Sequence, residues 1–232
     1  MKILDKGLLE LVASEATDLS VVNSARVSFG KRKDLIDTKD EELIWMLLSQ
    51  HHGTPFEHNF FSFHIKCPIF VAREWFRHRI GSFNEFSMRY SKVSDPQFYL
   101  PAMDELRTQH GKPGAYFFEP INLSTLSAKE FNDFEDWLFG IECHQFEATR
   151  LYNEGIKLGI AREQARIVFP VSIYTEFYWS INARSLMNFL GLRNSDFALK
   201  EIRDYAIGIE KVFKEVMPIT YNAFIQNERI AP

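Results

Sequence analysis

The sequence predicts an α+β chain with more helix than strand. Apolar residues recur at spacings of three and four through several long segments, whereas two other stretches alternate apolar and polar residues. Capping residues stand ahead of the helical segments, and glycine or proline follows them. No repeat, low-complexity tract or Pro/Gly/Ser linker divides the 232 residues, so one domain over 1–232 is expected.

The elements follow in order. A short helix is expected over 18–27, with Thr17 or Asp18 as its cap. A second starts at Thr38, where Thr38 and Glu41 have capping-box spacing; Leu43, Ile44, Leu47 and Leu48 form its apolar face, and it stops near Gly53. Phe61, Phe63, Ile65 and Cys67 alternate with Ser62, His64 and Lys66, which predicts a half-buried strand. Pro68 suits the first turn of a helix over 69–79 that ends at Gly81. Pro101, Gly111, Pro113, Gly114 and Pro120 break up residues 96–126, which read as a long loop of the kind that often forms a lid. Ser127 and Glu130 form a second capping box ahead of Phe131, Phe134, Leu138 and Ile141, predicting a helix to about Glu154. A shorter helix covers 161–168. Val171, Ile173, Thr175, Phe177, Trp179 and Ile181 alternate as a second strand, and Asn182 caps a helix ending at Gly191. The last long helix starts after Ser195, buries Ala198, Ile202, Tyr205, Ile209, Val212 and Val216, and ends at Pro218, with a terminal helical turn beyond.

Composition narrows the function. Net charge is −4 and the pI is near 6.0, which argues against a general nucleic-acid binder. The longest apolar run, 43–48, is far short of a membrane span. The opening MKILDKG lacks the apolar stretch of a signal peptide. Cys67 and Cys143 form no disulfide framework and no CxxC pair; both read as packing residues in a reducing, cytoplasmic protein. His51, His52 and His58 bracket GTPFE without convincing zinc spacing, so no metal is expected. No GxGxxG fingerprint or phosphate-binding P-loop is present.

Chemistry concentrates in RHRIGSFNEFSMRYS at 77–91. Cations in the last turn of a helix would account for Arg77, His78 and Arg79 alone. The donors, the carboxylate and the third Arg that follow point instead to an anion-binding nucleotide site, because guanidinium forks grip phosphate in bidentate fashion. A second cluster supports this: Arg184 and Asn188 share a helix face behind Asn182, and Arg193 follows. Arg166 stands before the apolar run IVF, where a structural role is common.

The pattern RHRxxSxNExSxRY over 77–90 resembles the signature of the flavin-dependent thymidylate synthases. ARVSF at 25–29, TPFEH at 54–58, PIFVAR at 68–73 and NARSLMNFLGLR at 182–193 are similar to other segments of that family. The resemblance implies an α+β fold with helices on a mostly antiparallel sheet. It implies methylation of dUMP to dTMP, with 5,10-methylenetetrahydrofolate as carbon donor and FAD, reduced by NADPH, as hydride carrier. It further implies a homotetramer with active sites at subunit interfaces.

Residue roles carry over by position. Ser28, Thr54, Arg77, His78, Arg79, Ile80, Asn182, Arg184 and Asn188 match flavin-contacting positions, with Glu57 beside Thr54 as a weaker candidate. Arg77, Glu85, Ser87, Met88, Arg89 and Arg166 match dUMP-binding positions, Arg166 from a neighbouring subunit. Arg193 matches the Arg at the uracil ring, and His52 a His near the flavin and the folate entry. A cation at the ring carbonyls would stabilise negative charge as it develops. The other thymidylate synthases attack C6 with a Cys, and no suitable Cys stands out here. Ser87 has no assigned base and reads as a phosphate or sugar ligand. Glu74 stands beside the nucleotide position where related enzymes often carry Gln; a carboxylate there would repel phosphate unless it turns toward an Arg.

Two other readings compete. A non-catalytic nucleotide-binding or regulatory protein on the same fold would not need both flavin segments and Arg193. An RNA-binding module stacking bases on Phe83, Phe86 and Tyr90 conflicts with the acidic pI.

Overall fold

The computed structural model describes residues 1–113 and 115–232. Strands β1 (Lys2–Ile3) and β2 (Gly7–Ser14) open the chain, followed by α1 (Asp18–Arg26), α2 (Thr38–Ser49), α3 (Thr54–Glu57), β3 (Phe60–Pro68), α4 (Ile69–Trp75) and β4 (Ser82–Glu85). Then come β5 (Arg107–His110), β6 (Phe117–Pro120), α5 (Ala128–Lys157), α6 (Arg162–Ala165), β7 (Tyr174–Asn182), α7 (Ala183–Arg193), α8 (Lys200–Val216) and α9 (Pro218–Gln226). The residues fall into two units: Met1–Cys67, Val71–Glu85 and Glu176–Pro232 form the first, and Pro68–Phe70 with Phe86–Thr175 the second.

The first unit is built on a sheet of order β1-β2-β3-β7-β4. The ladders β1–β2, β2–β3 and β4–β7 are antiparallel. Phe61, Phe63, Ile65, Phe177, Trp179 and Ile181 are buried on one face, as the alternation requires. The other face is polar: His64 stacks on Tyr178 and meets Glu176 at 3.3 Å. Helix α8 packs on β2 and α7, and buries Ile202, Tyr205, Ile209 and Val212. An aromatic cluster forms the centre, with Trp75 at 5.2 Å from Trp179, 5.0 Å from Phe189 and 5.6 Å from Tyr205. Edge-to-face and tilted pairs of this kind add to area burial.

The second unit centres on Met88, Phe98 and Ile173, with Ile69, Val93 and Phe169 against them. Helix α5 has the expected Ser127/Glu130 capping box. Only Ala148, Tyr152 and Gly155 of it are buried, however. Phe131, part of the expected apolar stripe, is exposed, as are Trp137, Phe139 and Phe146. Cys143, expected to pack, is also exposed.

Several boundaries differ from expectation for identifiable reasons. The cap of α2 is Asp37 paired with Asp40, one residue before the expected pair. That helix ends at Ser49 rather than near Gly53. His52 N–H reaches Leu47 O at 2.8 Å and His51 N–H reaches Leu48 O at 3.1 Å, a Schellman closure with His51 at φ 61° where glycine is usual. Residues 96–126 hold the pair β5–β6 and two 3₁₀ turns rather than plain loop; their exposed apolar residues had hidden the pattern, and Gly114 lies outside the described residues. Strand β4, unforeseen, is four residues long with one apolar side chain turned inward, too little to show as periodicity.

Asp40 clamps the segment between α1 and α2. Its buried carboxylate accepts from Arg26 at 2.5 Å and from Lys33, and from the Asp37 N–H at 3.0 Å. Burial alone would raise this carboxyl, but the bonds from Lys33, the Asp37 amide and Arg26 outweigh it and hold it at about 2, below the ordinary 3.8. Its contribution is therefore complete above pH 3.8 and is lost as the pH falls toward 2. Asp40→Asn is expected to cost about 2 kcal/mol of stability at pH 7, less than a fully buried broken pair because both cations can reach water. Urea unfolding at pH 7 checks this; an unchanged midpoint would show the clamp to be dispensable.

Candidate active site

The site begins where α4 stops. The expected helix over 69–79 ends at Trp75. Arg77 N–H and His78 N–H turn back to Glu74 O at 3.3 Å and Trp75 O at 3.0 Å, three residues behind each. The chain leaves the helix because Trp75 is locked in the aromatic cluster while Ser82 of β4 must pair with Ser180 of β7. Pro68 accordingly ends β3 rather than opening the helix. Only Arg73 lies in the last helical turn, so a helix-dipole role does not account for Arg77, His78 and Arg79. Gly81 passes flat against β7: a Cβ there would meet Ser180 O at 3.0 Å and the Trp179 Nε1 at 3.1 Å.

Helix α7 supplies the second wall. The Asn182 side chain caps it, accepting from Ser185 N–H at 2.8 Å. The helix does not stop at Gly191 but continues to Arg193. Gly191 serves close packing instead, since a Cβ would sit 2.6 Å from the Arg229 carbonyl. This puts Arg193 in the last turn, 20% exposed. Its Nη1 donates to Glu74 Oε2 at 2.8 Å, its Nη2 to Glu74 O at 3.2 Å and its Nε to His78 Nε2 at 3.0 Å.

Glu74 has thus turned toward an Arg, which removes the repulsion expected beside a phosphate. His78 packs edge-on against Phe189 at 4.9 Å. Burial, aided by the Arg193 charge, pushes its imidazole down to about 4. A neutral ring accepting at Nε2 carries its proton on Nδ1.

His78 and Arg193, but not Glu74, line a cavity of about 780 Å³. It brings together Arg77, His78, Arg79, Ile80, Asn182, Arg184, Asn188 and Arg193 from the two segments. Arg184 and Asn188 share the expected face. Arg184 pairs with Glu57 through Nη1 and donates from Nε to the main-chain oxygen of Pro232 at 2.8 Å. Gly53 makes room for it, because a Cβ there would lie 2.4 Å from Arg184 Nε.

The remaining candidates lie elsewhere. Ser28 sits exposed on the 3₁₀ turn Val27–Phe29, held by the Asp40 clamp, His52 lies exposed between α2 and α3, and Thr54, also exposed, opens α3. Glu85 ends β4. None of these four is in the lining of the cavity. In the second unit, Ser87 Oγ accepts from Arg89 N–H at 3.3 Å and Arg89 stacks on Tyr90. The Met88 side chain is spent on the core. Arg166 is exposed and bonds Glu163 O at 3.4 Å. Sequence reasoning missed Ser185, Leu192, Ala231 and Pro232 in the lining. The first two fall inside NARSLMNFLGLR, whereas no residue type marks the Pro232 main-chain oxygen.

Residues 10–219 match the family described as thymidylate synthase complementing protein. The chain belongs to this family. It is 47% identical over 226 residues to the flavin-dependent thymidylate synthase of Thermosipho melanesiensis, covering 97% of this chain and 93% of that protein. It is 37% identical over 231 residues to that of Borreliella burgdorferi, covering 96% of this chain and 82% of that one. The crystal structure of the UMP/dUMP methylase PolB from Streptomyces cacaoi with 5-Br dUMP superposes with a TM-score of 0.86 at 36% identity, covering both chains completely.

The folded family member favours neutral His78, so the stabilisation from that ring is complete above pH 6.5 and declines as the pH falls toward 4. An NMR titration should place His78 near 4. In Arg193→Ala the value should rise yet stay below 6.5, because burial is the larger cause. Titration of the parent protein near 6.5 would remove the buried, Arg-facing imidazole.

Proposed function

We propose that this chain is a flavin-dependent thymidylate synthase, methylating dUMP to dTMP. 5,10-Methylenetetrahydrofolate would donate the carbon and NADPH the reducing equivalents. The observation that carries the reading is the cavity in which Arg77, Arg79, Arg184 and Arg193 converge around a neutral His78. Guanidinium and amide donors suit a diphosphate, and the exposed edges of Ile80 and Leu192 suit a flat ring. The donor set therefore fits FAD, held by Arg77, His78, Arg79, Ile80, Asn182, Arg184 and Asn188 with Ser28 and Thr54. Bound there, FAD would carry the hydride.

The chain's own residues do the rest. Arg193 meets the uracil carbonyls and stabilises the negative charge that builds on the ring. Glu74 and His78 hold its guanidinium from behind, so its orientation is set before the nucleotide arrives. Arg77, Glu85, Ser87, the Met88 backbone, Arg89 and Arg166 bind the nucleotide, Arg166 from a second subunit, and His52 stands at the folate entry. The Cys67 thiol is pushed well above its ordinary value by burial, with the Glu85 charge adding to it. Cys67 thus offers no thiolate at neutral pH for attack at C6.

The reading treats 1–232 as one catalytic domain in a cytoplasmic homotetramer whose sites lie at subunit interfaces. The uncovered Trp137, Phe139 and Phe146 of α5 support an assembly. Among the described residues, no helix is long and apolar enough to cross a membrane.

Reconstitution with FAD should give a yellow protein that releases label from C5 of dUMP only when folate and reductant are both present. A protein that takes up no flavin would reject the reading. Arg193→Ala should keep its flavin and lose turnover by about 10²–10³-fold. Full turnover in that variant would take Arg193 out of the chemistry.

A further inference from the structure

We propose that the C-terminal strap Glu228–Pro232 is a positioning element that aims Arg184 into the cavity through the main-chain oxygen of Pro232. The inference rests on the reading that Arg184 faces the flavin.

The strap is built from several independent contacts. Helix α9 is fixed at its start by the buried Asp18, whose carboxylate accepts from Ile219 N–H at 3.0 Å and Thr220 N–H at 2.8 Å. Beyond its end, Glu228 at φ 55° and Arg229 at φ 58° are both left-handed. Neither is glycine, and an L side chain is disfavoured in that conformation. Two in succession persist only where the surroundings over-determine them. Here Arg229 Nη2 donates to the largely buried Glu210 at 2.8 Å, its carbonyl fills the space left by Gly191, and Asn227 Nδ2 closes onto Ile230 O at 3.0 Å. The reversal returns the chain to the cavity, where Pro232 is buried and receives the Arg184 Nε–H.

The chemistry of the acceptor matters. Nε is bound by Pro232 and Nη1 by Glu57, which fixes the plane of the guanidinium fork and leaves its other N–H groups for a ligand. A fork held in this way loses less freedom on binding an anion than a free side chain would.

The test is a double-mutant cycle read by flavin fluorescence as apo protein is titrated with FAD. The four proteins are the parent, Arg184→Ala, the chain lacking Ala231 and Pro232, and the combination. Each single change is expected to weaken FAD binding about tenfold, as loss of a charge-assisted hydrogen bond would. The combination should bind no worse than Arg184→Ala alone. Arg229→Ala, which slackens the strap without shortening it, should give about a threefold loss that disappears in the Arg184→Ala background; it carries the test if the shortened chain does not fold. Parent-like affinity in the shortened chain, or in Arg229→Ala if that variant carries the test, would overturn the strap while leaving the site intact. So would a loss that persists in full without Arg184. Parent-like affinity in Arg184→Ala itself would overturn the flavin role of that residue and the strap with it.

Discussion

One guanidinium ties the two walls of the site together. Arg193 projects from the last turn of α7 and bonds Glu74 and His78, which flank the end of α4. Both partners can be reached only because Trp75 and Phe189 are packed in the same aromatic cluster, 5.0 Å apart. Trp75 fixes where α4 ends, and Phe189 fixes how α7 is rotated. The turn carrying Arg77 and Arg79 and the helix carrying Arg184 and Asn188 then have little freedom left. A dense interior transmits its geometry to the surface it supports.

The charges in the cavity are unevenly compensated. Glu74 offsets Arg193 and Glu57 offsets Arg184. Among the described residues neither Arg77 nor Arg79 has an ion-pair partner. Two cations are thus oriented by carboxylates, and two stand exposed beside them. Anions bind readily where uncompensated guanidinium groups meet a wall of low polarity. Glu74 fits this division of labour: a carboxylate beside a phosphate is tolerable when its charge is already spent on Arg193.

Much of this was legible in the residues, and the failures have local causes. The alternation of Phe61, Phe63, Ile65 and Cys67, and of Val171 through Ile181, marks the two central strands because one face of each is buried, although the second starts only at Tyr174 and leaves Val171 exposed. Asn182 and Ser127 announced their helices through the bonds they make. Helical periodicity alone runs α4 on to 79, but the tertiary needs of Trp75 override it, and Gly191, a stop by residue type, instead admits a carbonyl from elsewhere in the fold through its missing side chain. The apolar stripe of α5 was visible, but a stripe does not say what covers it. In the cavity, Arg77, His78, Arg79, Arg184, Asn188 and Arg193 were picked out by type and spacing. The Pro232 oxygen could not be, because a backbone acceptor leaves no trace in a side-chain pattern.

A crystal structure of the chain with FAD and dUMP tests the central claim most directly. The account predicts the uracil ring within hydrogen-bond reach of the Arg193 guanidinium, still held by Glu74 and His78, with the flavin along Arg77, Arg79 and Arg184. A nucleotide bound away from Arg193 in every copy of the assembly would contradict it.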